Sequence, residues 1–159
     1  MRVLDISVGP DRVGVRLAFE SGEPTRASEC PGLADLVLSA FPGMGGHRCS
    51  TQSVRAFADE LADTELAHLF EHVVLELMAS AGSPRDLGGH TSWDFRVDGP
   101  GVYRVSLEYD DDLVCLGAIK AADRILRCMI QHGDSPDVKA EARRLESLRD
   151  RPAGSGQAR

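Results

Sequence analysis

Positive charge is scarce in this chain of 159 residues: 18 Lys+Arg stand against 25 Asp+Glu, and the only lysines are Lys120 and Lys139. No basic block appears beyond scattered arginines and the pair Arg143-Arg144. With a net charge of -7, that distribution argues against a nucleic-acid partner, whose phosphates need a basic patch. It favours a cationic ligand instead. No apolar run is long enough to span a bilayer, and Met1-Arg-Val-Leu-Asp-Ile6 lacks the apolar core of a signal peptide, so the expectation is a cytoplasmic protein with no membrane partner. The four cysteines, at 30, 49, 115 and 128, form no C-x-x-C pair. Cys115 and Cys128 fall within a helical apolar pattern where buried thiols are common. No repeat occurs at solenoid periods.

What is present suffices for one domain with a real core. Residues 1–150 are expected to form it, with 151–159 as a disordered, glycine-containing tail. Val3, Leu4, Ile6 and Val8, then Val13, Val15, Leu17 and Phe19, flank Gly9-Pro-Asp11 and predict a hairpin. A helix follows from Pro31 to Ala40, and a short one from Gln52 to Leu61. Trp93, Phe95 and Val97 alternate with polar residues, as do Tyr103, Val105, Leu107 and Tyr109, predicting a second hairpin across Asp98-Gly-Pro-Gly101. Asp110-Asp-Asp112 starts a helix over about 112–132, stopped by Gly133, and Pro136 opens a last one to about Arg149. The pattern is α+β: antiparallel hairpins forming a sheet packed against helices.

The central helix runs from about Asp63 to Ala81, with Asp63 or Thr64 expected to cap it and Gly82 and Pro84 to end it. Leu66, Leu69, Phe70, Val73, Val74 and Leu77 make one broad apolar arc. Glu65, His68, Glu71, His72 and Glu76 occupy the other, and the helix has no lysine or arginine. A solvated arc normally mixes both signs, because like charges at i,i+4 cost a few tenths of a kcal/mol. A cation is missing here, and His68 and His72 have the i,i+4 spacing at which two imidazoles converge on one ion.

His68-Leu-Phe-Glu71-His72 has the form H-x-x-E-H, in which the histidines hold Zn²⁺ and the glutamate takes a proton from the attacking water. The third ligand is open. Glu76 lies on the same arc but about 12 Å along the axis from His68, so His47, Cys49 and His90 remain candidates. Glu76 is also suited to orienting a ligand histidine. His47 and Cys49 lie in the glycine-rich stretch from Gly43 to Ser50, and His90 in a second flexible stretch after the helix. Segments of this kind often present functional groups. The acidic run at 110–112 is first a helix start, and only secondarily a grip for guanidinium groups.

Thr64-Glu-Leu-Ala-His68-Leu-Phe-Glu71-His72-Val-Val-Leu-Glu76-Leu, followed by Gly101-Val-Tyr103-Arg-Val-Ser-Leu-Glu108-Tyr109, resembles the N-terminal domain of cyanophycin synthetase. The stretch from Phe41-Pro-Gly to His47-Arg-Cys49-Ser50 resembles it as well, so that the likeness covers about residues 41–130. In that family two ATP-dependent domains polymerise aspartate and arginine, while the N-terminal domain binds polymer. In some members that domain resembles a zinc metallopeptidase and cuts the polymer internally.

The resemblance implies His68 and His72 as ligands, Glu76 as the third, and Glu71 as the catalytic base. It implies an aspartyl-arginyl peptide or polymer as substrate and a synthetase-type ligase as partner. Substrate contacts are expected at His47, Cys49, His90 and Glu108, with Asp94 and Asp110 as further carboxylates for arginyl groups. The sequence carries neither ATP-dependent domain and is expected to act as a stand-alone homologue. Where the family tends to have Gly-Lys/Arg-Thr-Arg, it reads Gly89-His90-Thr91-Ser92, which removes basic groups suited to substrate carboxylates.

Overall fold

The computed structural model describes residues 1–46, 57–134 and 136–149. His47, Cys49, the start of the helix expected from Gln52, and the tail 151–159 lie outside the described residues. The first hairpin forms as expected: β1 (Arg2–Val8) and β2 (Arg12–Ala18) pair antiparallel, closed by the Gly9 amide donating to the Arg12 carbonyl at 2.9 Å. Strand period two sends Val13, Val15 and Leu17 into the core while Arg12 and Arg16 stay outside. Helix α1 (Leu33–Ala40) and the short α2 (Phe57–Glu60) follow. Then come α3 (Leu66–Ser80), β3 (Gly89–Ser92), β4 (Val102–Glu108), α4 (Asp112–His132) and α5 (Val138–Arg149).

Among the described residues four strands make one antiparallel sheet in the order β1-β2-β4-β3, so the architecture is α+β. Tyr103, Val105 and Leu107 of β4 continue the buried face of β2. Helix α3 lies against α4 and beneath β3 and β4, and α5 packs on α4. Leu66, Leu69, Phe70, Val73, Val74 and Leu77, the predicted apolar arc, are all buried. Helix α4 matches its predicted limits: the Asp111 carboxylate accepts from the Val114 amide at 3.0 Å, and Gly133 ends it in the left-handed region. Cys30 and Cys115 are buried, and burial pushes the Cys115 thiol up to about 12.

Three expectations change. The strand after α3 is Gly89–Ser92, and beyond it Trp93 and Asp94 lead into a turn at residues 95–98. Alternation there loses to the Asp94 side chain, whose Oδ1 accepts from the amides of Arg96 and Val97 at 3.1 and 3.3 Å and bends the backbone. The chain returns into β4 through Gly101, at φ 75°, where a Cβ would stand 2.6 Å from the Phe19 carbonyl oxygen. Glycine is required there.

Neither Asp63 nor Thr64 caps α3. Its N-cap is Glu65, without a side-chain cap, and the Leu66 amide donates to the Thr25 carbonyl at 2.7 Å. Asp63 instead binds Arg26 and the Ser28 hydroxyl, and Thr64 turns toward His68. The third change concerns the acidic arc of α3. Glu71, His72 and Glu76 are only 5%, 3% and 5% exposed, so α3 is enclosed on nearly every side.

Candidate metal centre

One helical turn brings His68 and His72 onto the same side of α3. Their Nε2 atoms stand 3.1 Å apart, and the Glu71 carboxylate joins them in a group whose ligand atoms all lie within 4.8 Å of one another. Two nitrogens each about 2.0–2.1 Å from a single tetrahedral zinc stand roughly 3.3 Å apart. The donors therefore fit one zinc ion. Without an ion, one ring must carry its proton on Nε2 and donate to the other.

The surroundings favour the liganding form. Thr64 Oγ1 lies 3.3 Å from His68 Nδ1. A proton held there on Nδ1 leaves the Nε2 lone pair facing His72. Phe57 stacks on the His72 ring at 3.8 Å between centroids and meets His68 edge-on at 5.6 Å. Burial lowers the His68 pKa, with the charge of His90 acting the same way and that of Glu60 opposing, which keeps the ring neutral.

Strand β3 covers Glu71. The Thr91 hydroxyl donates to Glu71 Oε2 at 2.5 Å, and a Cβ placed on Gly89 would meet Glu71 Oε1 at the same distance. Any larger residue at 89 displaces the carboxylate. Burial raises the Glu71 pKa, against the Thr91 hydrogen bond and the more distant Arg12 charge. A carboxyl shifted toward neutrality in this way is suited to accept a proton.

The other predicted site residues have separate places. Glu76 lies one turn beyond His72: the turn Pro42–Gly46 brings Gly43 against its carboxylate, and Arg85 reaches it at 3.4 Å. His90 is exposed on β3, opposite Ser106. Glu108 accepts from the Gly88 amide at 2.7 Å and pairs with Arg12 at 3.3 Å, which fixes the entry to β3. Sequence reasoning singled out none of Thr64, Phe57, Thr91 or Gly43 as site residues. Gly88-Gly89 did carry a signal, since glycine within a strand often marks close approach of another group.

The sequence profile of the cyanophycin synthase-like N-terminal domain matches residues 14–131. The cyanophycin synthetase of Synechocystis sp. is 30% identical over 142 residues, covering 89% of this chain and 16% of the relative. That of Trichormus variabilis is 29% identical over 137 residues, covering 86% of this chain and 15% of the relative. The Geminocystis herdmanii enzyme is 26% identical over 144 residues, or 90% and 16% of the two chains. This chain thus corresponds to 15% and 16% of the length of these curated relatives. Among the described residues no helix is long and apolar enough to cross a membrane.

Proposed function

Because the chain belongs to the cyanophycin synthase-like N-terminal domain family, we propose that it is a zinc-dependent hydrolase acting on cyanophycin or a related aspartyl-arginyl peptide. The observation that carries this reading is the 3.1 Å approach of the His68 and His72 Nε2 atoms beside the Glu71 carboxylate. His68 and His72 would hold the zinc through these nitrogens, with Glu76, one turn beyond His72, as the proposed third ligand. Zinc, when bound, supplies Lewis acidity at the scissile carbonyl.

The remaining chemistry belongs to the side chains. Thr64 and Phe57 hold the two rings in orientation. Glu71 accepts the proton of the attacking water and later returns it to the leaving amine. Thr91 holds the second carboxylate oxygen, which keeps Glu71 from rotating away. Exposed carboxylates such as Asp94 suit arginyl groups of the substrate. A synthetase-type ligase is the proposed partner.

Metal analysis of the purified protein and mass analysis of fragments released from cyanophycin test the assignment. Wild type should carry one zinc, His68→Ala and His72→Ala almost none, and Glu76→Gln an intermediate amount. Glu71→Gln should keep the metal while cleavage falls by about 10²–10⁴-fold. Equal zinc in wild type and histidine variants would remove the ligands, and undiminished cleavage by Glu71→Gln would remove the base.

The enclosure of Glu71 beneath Gly89 and Thr91 favours a second reading, a non-catalytic module that binds such a polymer or a synthetase. Retained polymer binding with no fragment released by zinc-loaded protein would select it.

A further inference from the structure

Among the described residues, strand β3 is one of the two outer strands of the sheet. In an antiparallel ladder the main-chain groups of alternate residues point to opposite neighbours. The Glu108 amide donates to the Gly88 carbonyl at 2.9 Å, and the register pairs His90 with Ser106 and Ser92 with Arg104. Residues 88, 90 and 92 therefore face β4. The amides and carbonyls of Gly89 and Thr91 point to the outer edge. The same two residues stand against Glu71, so this edge runs alongside the His68, Glu71 and His72 group.

The two outer strands differ. β1 has a register shift between Val3 and Asp5, and the Asp5 carboxylate pairs with Arg16 beside it. A bulge and fixed charges are the usual defences of an edge against pairing. β3 has no register shift. At its end Trp93, the single tryptophan of the chain, is 54% exposed and stacks on Phe95 at 4.7 Å. Such an aromatic face accepts aliphatic stems and guanidinium groups.

We infer that an extended peptide adds as a further strand to the outer edge of β3, hydrogen-bonded to the main chain of Gly89 and Thr91. Edge addition supplies affinity through the peptide backbone, while side chains of alternate residues supply specificity. A strand laid there carries its backbone past Glu71 and sets a side chain near Trp93. The occupant is an aspartyl-arginyl peptide, whose guanidinium groups suit the exposed Trp93 face. The inference deepens the proposed function by naming how a peptide is held, and it does not require turnover.

The probe is a decapeptide of alternating aspartate and arginine, titrated into the full chain with Trp93 emission as the readout. Two further decapeptides carry N-methyl groups on alternate amides, one set in each register. One register should weaken binding by about tenfold or more through loss of main-chain bonds, and the other should leave it within about twofold. In the protein, Thr91→Pro removes the outward amide and should weaken binding as much. Equal effects of the two methylated registers, or no change in Trp93 emission at any peptide concentration, overturn the inference. Cleavage that persists while the registers behave alike overturns edge pairing and leaves the hydrolase reading standing. Register-dependent binding by a protein that neither holds zinc nor cleaves sustains edge pairing and removes the hydrolase.

Discussion

Helices α3 and α4 pack against each other beneath one sheet, yet they follow different rules. α4 is amphipathic: Val114, Cys115, Ala118, Ile119, Ala122, Ile125 and Leu126 face inward, Asp111 caps it, and Asp123 pairs with Arg127 one turn on. α3 has no side-chain cap and buries Glu71, His72 and Glu76 along with its apolar arc. Buried ionisable groups cost stability unless something repays them. α4 serves the core, whereas α3 buries ionisable groups at a cost in stability, a departure from local rules of the kind expected at functional sites.

The largest test of this contrast is in α4. Ile125→Ala should cost about 2–5 kcal/mol in denaturant unfolding, through lost burial and the cavity left behind. Glu71→Gln in α3 should move the other way, stabilising metal-free protein by roughly 1 kcal/mol near neutral pH. If both variants destabilise alike, the two helices do not differ as described.

The pH dependence gives the second sign. Burial raises the Glu71 pKa above the ordinary 4.5, so the stability it contributes is present below that value and lost as pH rises through the folded one. The advantage of Glu71→Gln should therefore vanish below about pH 4.5. His68, lowered from 6.5 mainly by burial, acts oppositely: its contribution is present above 6.5 and lost as pH falls through the folded value. Urea midpoints of metal-free wild type, Glu71→Gln and His68→Gln across pH would show both slopes. A wild-type profile that matches both variants would remove them.

The smallest test concerns the helix starts. Asp111→Ala should cost about 1 kcal/mol, because the Val114 amide loses its acceptor. Glu65→Ala should change stability by only a few tenths of a kcal/mol, as for an N-terminal charge on the helix dipole. Equal losses would mean that α3 is capped after all.

Much of this could be read along the chain. The hairpin at Gly9-Pro-Asp11, the limits of α4, the apolar arc of α3 and the convergence of His68 with His72 all depend on residues a few positions apart. Periodicity and capping chemistry report such local relations. The shell around the site was not legible in that way. Thr91 and Gly89 reach Glu71 from a strand 20 and 18 positions away, and Trp93 to Val97 read as a strand until the Asp94 side chain claimed its amides.

Sequence by itself determined that α3 has two imidazoles one turn apart and an arc without a compensating base, because helical geometry is set by neighbours in the chain. Only the tertiary structure decided that this arc is buried. Enclosure required β3, Phe57 and the turn at Gly43 to arrive from distant segments, and burial is a property of what packs against a residue, which no local pattern encodes.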